Sequence, residues 1–194
     1  MKKILSILLI LFILIGCSDK PKYEYQITSY DVDMSHYEGV NSVNHMFKRV
    51  VVEELFNCIE NKSSGVFYLG RENCGCCQNT TKYLNEVAKE LNVTIYYINV
   101  YDQDSPLVGE ESEIVCDECK VRTEKLRESL ASILEKDEDG KLMLQTPEVF
   151  SVINGKIYDH MLCMDSQRWD NPPTQKQIDK LKNNYERILK PFVK

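Results

Sequence analysis

The sequence predicts an α/β fold built on a central mixed β-sheet, and two observations carry that prediction. A short apolar run at residues 66–69, an amphipathic helix pattern at 78–91 and a β-branched segment at 93–100 follow one another along the chain. Strand, helix and strand at this spacing form a βαβ unit, whose two strands run parallel. Further on, Asn154-Gly155 follows a proline-led strand at 146–153. This dipeptide is a strong signal for a two-residue hairpin with antiparallel strands.

The remaining elements are predicted to be helices on either side of these strands. Residues 44–60 are expected to form a helix, because apolar side chains recur there at spacings of three and four residues. An acidic loop at 101–119 leads into a second helix at 120–136. After the return strand at 156–160 and a loop, a closing helix spans 174–190 and begins at the capping residue Thr174.

The most unusual stretch of the sequence is a cluster of three cysteines, Cys74, Cys76 and Cys77, between the first strand and the following helix. A cysteine at a helix N-terminus has a lowered pKa, because unpaired backbone N–H groups and the helix dipole stabilise the thiolate. Cys74 is therefore the expected nucleophile of a thiol–disulfide exchange. Cys77 lies one turn along the helix and is the expected resolving thiol.

The order of elements and the C-x-x-C from Cys74 to Cys77 resemble the thioredoxin fold. The resemblance covers roughly residues 44–190 and includes the pair Thr146-Pro147 at the start of the third strand. It implies an α/β, thioredoxin-like three-layer fold with a central mixed sheet, an N-terminal extra segment and an acidic cysteine-containing insertion. It also implies that Pro147 is cis and that Thr146 and Pro147 form the substrate-binding edge, where the Thr146 backbone pairs with a substrate strand.

Within this fold, the Gly70-Arg71 step before the cysteines resembles thioredoxin-like bacteriocin-transport accessory proteins. The sequence also departs from thioredoxins. Asn73 replaces the aromatic residue before the first cysteine, Cys76 replaces the proline before the second, and Tyr68 falls where thioredoxins bury an acid. The resemblance then implies that another group serves Cys77, or that turnover is slow.

The other cysteines have structural interpretations that compete with functional ones. Cys116 and Cys119 form a second C-x-x-C, interpreted as a local disulfide, with a redox shuttle or a metal site as the alternative. Cys76 is interpreted as a tolerated small residue, with a second accessible thiol as the alternative. Cys58, on an apolar helix face, is expected to be a core thiol. Cys163 is left open between a free thiol, a bridge and a soft-metal ligand.

The N-terminus resembles a bacterial lipoprotein signal peptide. A basic start is followed by an apolar core at residues 4–15, and Leu14-Ile15-Gly16-Cys17 resembles the lipobox. The resemblance implies cleavage after residue 16 and attachment of lipid, such as palmitate, to Cys17. The expected organisation is a signal peptide at 1–16, a tether at 17–43 and a thioredoxin-like domain at 44–194, on the extracytoplasmic face of a bacterial cell membrane.

The composition excludes some classes of partner. The formal net charge is −6, which argues against nucleic acid as a ligand. The expected function is a membrane-anchored thiol–disulfide oxidoreductase acting on exported thiol or disulfide proteins, with a membrane or extracytoplasmic redox partner. No cofactor is predicted, and no residue is assigned as a metal ligand.

Two alternatives stay open at the level of sequence. The first is a soft-metal module for copper or zinc, which could draw on Cys74, Cys76, Cys77, Cys116, Cys119, Met161 and Met164. The second is a non-catalytic accessory protein that uses the fold to hold a partner.

Overall fold

A computed structural model of the protein describes residues 25–104, 106–107, 116–162 and 173–194. The predicted signal peptide at 1–16, the lipidated Cys17 and the loop residue Cys163 lie outside these residues. Among the described helices, none combines the length and the apolar character that crossing a membrane requires.

The centre of the fold is a five-stranded mixed sheet with the order β1-β3-β2-β4-β5. Strands β1, β3 and β2 run parallel, whereas β4 is antiparallel to both β2 and β5. This topology confirms the predicted thioredoxin-like fold class. The strands are β1 Phe47–Arg49, β2 Gly65–Gly70, β3 Ile95–Asn99, β4 Glu148–Ile153 and β5 Lys156–Leu162.

In the part of the chain that the structure describes, four α-helices cover the two faces of the sheet and complete three layers. They are α1 Val52–Glu60, α2 Gly75–Leu91, α3 Asp117–Ser129 and α4 Gln175–Leu189. Side chains of α2 and α4 share one apolar core with Tyr68 and Val149, whereas α1 and α3 share the other with Phe67 and Phe150. Because side chains alternate along a strand, β2 and β4 each contribute to both cores. The cysteine cluster belongs to the α2–α4 side.

The hairpin between β4 and β5 forms where the sequence predicts it. Asn154 and Gly155 have φ values of 52° and 74°, the left-handed pair that a type I′ turn requires. A Cβ on Gly155 would lie 2.3 Å from the carbonyl oxygen of Ile59. This position therefore excludes a side chain both by backbone conformation and by contact.

The prediction of one helix over residues 44–60 is wrong in its first half. Residues 47–49 form the edge strand β1, which pairs with β3, and the helix begins only at Val52. The buried residues Phe47 and Val50 are three positions apart, so they fit a helical stripe as well as the end of a strand. Pairing with β3 decides between helix and strand, and the local sequence pattern does not show that pairing.

The predicted tether at residues 17–43 also needs correction in its last part. Met34, Tyr37 and Val40 are buried in the α2–α4 core, and Tyr30 forms an isolated antiparallel bridge with Arg49. Turns in which the N–H of Tyr37 donates to Met34 and that of Val40 donates to Tyr37 bring all three side chains inward. This segment is part of the domain, and the three-residue spacing of its apolar residues is the signal for it.

Both cysteine-led helices begin three residues earlier than the predicted starts at residues 78 and 120. In each case a cysteine is the N-cap residue, and its sulfur accepts a hydrogen bond from the backbone N–H three residues on. Sulfur thus performs the capping role that the oxygen of Ser, Thr, Asp or Asn usually performs. Helix α3 also ends at Ser129, before the predicted end at residue 136.

Candidate active site

The cysteine cluster lies at the carboxyl end of the central strand β2. The strand ends at Gly70, three residues form a turn, and Cys74 caps helix α2, which begins at Gly75. This order of strand, turn and helix directs the first backbone N–H groups of α2 towards the Cys74 sulfur. The position of Cys74 at the start of the helix therefore follows from local chain geometry alone and needs no contact with a distant part of the chain.

Cys74 lies where its thiolate is stabilised. Its Sγ accepts a hydrogen bond of 3.2 Å from the backbone N–H of Cys77. The Cys77 side chain, the Thr146 side chain, this N–H and the charge of Arg71 together lower the pKa of Cys74 to about 6, against the opposing effect of burial. The residue is 7% exposed, so its sulfur is only a small target at the surface. Near neutral pH, Cys74 is mainly a thiolate.

Cys77 has the opposite character although it lies only three residues away. It is fully buried at 0% exposure. Burial raises the pKa of its thiol well above the ordinary value, and its interaction with Cys74 raises it further. The pair thus consists of one ionised sulfur near the surface and one protonated sulfur beneath it. This asymmetry separates an attacking thiol from a resolving thiol.

The Thr146–Pro147 peptide bond is cis, and this pair faces Cys74. In the protonated state, the Cys74 thiol donates a hydrogen bond of 3.3 Å to the Thr146 carbonyl oxygen. Pro147 is buried and Thr146 is half-buried. Thr146, one of the two residues that the resemblance implies as a substrate-binding edge, is therefore in contact with the sulfur of Cys74.

Among the three clustered cysteines, only Cys74 and Cys77 are thiols. Cys76 is half-buried and disulfide-bonded. Its partner is not another described cysteine, because Cys58, Cys74 and Cys77 are free and Cys116 is bonded to Cys119. The interpretation of Cys76 as a tolerated small residue is therefore wrong. Adjacent cysteines are poor disulfide partners, so the sequence excluded its neighbours but did not reveal this bond.

The second C-x-x-C has the same local geometry in a different redox state. Cys116 caps helix α3 and accepts a hydrogen bond of 3.0 Å from the N–H of Cys119. The two sulfurs form a disulfide. Cys58 is a buried free thiol in the other core, where burial raises its pKa to about 12. A thiol of that kind is unreactive at neutral pH.

The described residues contain no cluster of three or more His, Cys, Asp or Glu side chains that could hold a metal ion. A polar groove of about 440 Å³ lies beside the site, lined in part by Glu72, Asn73 and Asp102. Asp102 is nearly buried there and accepts two hydrogen bonds, of 2.6 and 2.5 Å, from the Arg49 guanidinium. The groove reaches the active turn through Asn73 but does not include either reactive sulfur.

Sequence reasoning missed one charged pair next to the cis-proline. Glu148 is 1% exposed, and its carboxylate contacts His160 Nδ1 at 2.9 Å. Burial raises the pKa of Glu148 to about 7, although the hydrogen bond and charge of His160 oppose this shift. A glutamate directly after proline at a strand start is the only signal in the sequence. Its contact with His160 depends on the pairing of β4 with β5, in which Phe150 is opposite His160 and Glu148 is the diagonal neighbour.

No protein-family model and no curated protein matches the chain. Solved structures similar to it include thioredoxin O2 from Arabidopsis thaliana in its oxidised state, at 13% identity over 78% of this chain and 98% of that one, with a TM-score of 0.43. Thioredoxin O1 from the same plant is 17% identical, with coverages of 75% and 98% and a TM-score of 0.40. Thioredoxin from Aeropyrum pernix is 13% identical, with coverages of 84% and 98% and a TM-score of 0.38. At these scores the likeness assigns neither an activity nor a substrate.

Proposed function

We propose that the protein is a thiol–disulfide oxidoreductase in which Cys74 attacks and Cys77 resolves. One observation carries the proposal. The Cys74 sulfur caps helix α2 and accepts the Cys77 N–H at 3.2 Å, while Cys77 itself is buried at 0% exposure. This arrangement produces a reactive thiolate with a protected partner thiol one helical turn away.

The reaction of the reduced enzyme with a substrate disulfide has two steps. In the first step, the Cys74 thiolate attacks one substrate sulfur, a mixed disulfide forms, and the other substrate sulfur leaves as a thiolate. In the second step, Cys77 attacks the Cys74 sulfur and releases the second substrate sulfur. The two enzyme sulfurs are oxidised to a disulfide and the substrate disulfide is reduced to two thiols. The reverse sequence oxidises a substrate dithiol.

The electrostatic surroundings support Cys74–Cys77, rather than Cys116–Cys119, as the exchanging pair. The first turn of α2 carries no acidic residue. The first turn of α3 carries Asp117 and Glu118, whose negative charges oppose ionisation of the adjacent Cys116. A thiolate is therefore favoured at the first motif and disfavoured at the second. We assign Cys116–Cys119 a structural role, in which it fixes the start of α3.

The cellular setting is part of the same proposal. The resemblance of residues 14–17 to a lipobox supports attachment through Cys17 to the extracytoplasmic face of a bacterial membrane. The substrates would then be exported thiol or disulfide proteins, which dock along the cis-proline edge formed by Thr146 and Pro147. A redox partner in the membrane or outside the cytoplasm would restore the starting state of Cys74 and Cys77.

The test is intact-mass analysis of the full chain before and after treatment with dithiothreitol, followed by thiol alkylation and peptide mapping. We expect a reversible loss of the two thiol hydrogens that maps to Cys74 and Cys77. Cys74→Ser should abolish exchange with a small disulfide. As a matched control, Cys116→Ser combined with Cys119→Ser removes the other motif and should leave that exchange in place.

Addition of copper or zinc to the same protein provides the opposing outcome. A stoichiometric metal adduct that protects Cys74 and Cys77 from alkylation would refute the oxidoreductase and favour the soft-metal module. Unchanged partner binding by Cys74→Ser, together with no exchange in the original protein, would favour the accessory role.

A further inference from the structure

Tyr68 lies on the central strand directly beneath the active cysteines. Its strand position pairs with Tyr97 on one side and Val149 on the other. The side chain is 1% exposed and belongs to the same apolar core as Cys74 and Cys77. A phenol with this degree of burial requires a hydrogen-bond partner for its hydroxyl group.

Gly70 leaves the space that the Tyr68 phenol occupies. A Cβ on Gly70 would lie 2.7 Å from Tyr68 Cζ and 2.8 Å from its hydroxyl oxygen. Residues 68 and 70 point to the same face of β2, so the phenol extends along the strand towards its carboxyl end. That end carries the turn into Cys74. Because Gly70 has no side chain, the Tyr68 hydroxyl has room to lie under the cysteine pair.

The hydrogen-bond directions in this region can be derived from donor counts. The Thr81 hydroxyl donates its single hydrogen to the Cys77 carbonyl oxygen at 2.6 Å. Tyr68 and Thr81 contact each other through their hydroxyl oxygens at 2.8 Å, so Tyr68 must be the donor in that contact. In the resting state the Tyr68 hydrogen therefore points at Thr81, one helical turn from Cys77.

The two buried carboxylates among the described residues are each paired with another side chain. Asp102 is paired with Arg49, and Glu148 is paired with His160. Glu148 alternates along β4 with Val149, so its side chain is on the other face of the sheet from the cysteines. On its own face, Cys77 interacts through hydrogen bonds with Cys74 and Tyr68, whereas Tyr37, Tyr97 and Tyr185 interact with it through charge.

We propose that the Tyr68 hydroxyl is a catalytic hydrogen-bond donor to Cys77, which turns its hydrogen from Thr81 to the Cys77 sulfur when that sulfur ionises in the resolving step. This inference rests on the proposed oxidoreductase function. Burial disfavours the Cys77 thiolate, and a hydrogen bond from Tyr68 acts in the opposite direction by lowering the pKa of Cys77. A charge-assisted hydrogen bond is stronger than the neutral one it replaces.

The resolving step balances without any further reactant. The Cys77 S–H proton ends on the departing substrate sulfur, the Cys74–Cys77 disulfide forms, and the bond between Cys74 and the substrate breaks. Tyr68 stabilises the negative charge on Cys77 during the attack and keeps its own proton. The attack of Cys74 on a substrate does not involve Tyr68, because the Cys74 thiolate accepts from Cys77 and Thr146.

The test uses 5,5′-dithiobis(2-nitrobenzoate) as the disulfide and the reduced full chain in stopped flow. The attack of Cys74 releases the first thionitrobenzoate, and resolution by Cys77 releases the second. Tyr68→Phe should leave the first phase unchanged and slow the second by about 10- to 100-fold, the effect expected for one lost hydrogen bond to a charged group. The mixed disulfide at Cys74 should accumulate and be detectable by mass.

Tyr97→Phe is the matched control, since it removes another buried hydroxyl from the same tyrosine group. Tyr97 OH contacts Tyr37 OH at 3.0 Å. Both phases should keep their rates in this variant. In the background of Cys74→Ser, alkylation of Cys77 should require a higher pH in Tyr68→Phe than in Tyr97→Phe. A purely packing role of Tyr68 would not produce that difference.

Gly70→Ala provides a second route if Tyr68→Phe does not fold, because its Cβ displaces the same hydroxyl. It should also slow only the second phase. Equal second-phase rates in Tyr68→Phe and the original protein would overturn the role of Tyr68 while leaving the oxidoreductase intact. Absence of any second phase in the original protein would instead overturn the proposed function itself.

Discussion

The low pKa of Cys74 depends first on the side chain of Cys77, and this dependence can be tested by exchanging one atom. Hydrogen bonding from the Cys77 side chain is the largest of the effects that lower the Cys74 pKa to about 6, from an ordinary value of 9.0. Cys77→Ala removes that donor, whereas Cys77→Ser keeps an O–H at the same place. We expect the Cys74 pKa to rise towards its ordinary value in the alanine variant and to stay low in the serine variant.

The size of the effect follows from the two pKa values. At pH 7, a thiol with a pKa of about 6 is about 90% ionised, and one with a pKa of about 9 is about 1% ionised, so alkylation rates can differ by up to about 90-fold. The same shift stabilises the reduced state by about 1 to 2 kcal/mol at pH 7. This corresponds to a reduction potential higher by about 20 to 40 mV, which makes the protein a better oxidant.

The assay measures the rate of iodoacetamide addition to Cys74 from about pH 4 to about pH 10, with the alkylated peptide identified by mass. The serine variant should show a midpoint near that of the original protein. The alanine variant should show a higher midpoint and a slower reaction at pH 7. An identical midpoint in all three proteins would refute the reasoning, because the helix N-terminus and Thr146 would then be sufficient to hold the thiolate.

Three further predictions concern the stability of the fold. Because the folded pKa of Cys74 is depressed to about 6, its contribution to stability is complete above about pH 9 and is lost as pH falls through about 6. In urea unfolding, the reduced protein should gain about 2 to 3 kcal/mol over Cys74→Ser between about pH 5 and pH 8. Parallel pH curves of the two proteins would contradict this. Glu148 has a raised folded pKa of about 7, so its contribution to stability is lost as pH rises through that value. The unfolding free energy of Glu148→Gln should therefore gain about 2 kcal/mol over that of the original protein between about pH 5 and pH 8. Equal pH dependence of the two unfolding free energies would show that the buried carboxyl is not responsible. Gly155→Ala should lower the unfolding free energy by about 2 kcal/mol or more, because the new side chain strains the backbone and collides with the Ile59 carbonyl. The control Gly140→Ala should cost less, since Gly140 also has a positive φ of +82° but open space around it. Equal losses in the two variants would mean that the collision with Ile59 contributes nothing.

Local patterns in the sequence were sufficient for most of the sheet and for the hairpin. The βαβ unit and Asn154-Gly155 are both defined by neighbouring residues, so the parallel and antiparallel halves of the sheet could be predicted. Strand β1 could not, because three residues at a sheet edge acquire their conformation from pairing with β3. The packing of Tyr37 into the core likewise depends on a long-range contact, its hydroxyl to that of Tyr97.

The candidate site likewise combines residues that neighbouring positions identify with residues whose role depends on long-range contacts. Cys74 and Cys77 are local features of one turn, and the sequence identified them with the roles that the proposed mechanism uses. Glu148 and Tyr68 are different, since their importance comes from burial and from partners on other elements. A tyrosine in a buried strand is usually a packing residue. Only its contact with Thr81 and the space over Gly70 reveal that its hydroxyl lies beneath the cysteines.

The two C-x-x-C motifs show why spacing alone could not distinguish the pair that we propose to exchange disulfides from the other pair. Cys74 and Cys116 both cap a helix, and both accept a hydrogen bond from the N–H three residues on. The motifs differ in what surrounds that common geometry. Beside Cys74 are the Thr146 side chain, the charge of Arg71 and a first turn without acids, whereas Cys116 is followed by two acidic residues. The same local structure is therefore compatible with a thiolate at one helix and a disulfide at the other, and the charges around each cap favour ionisation only at Cys74.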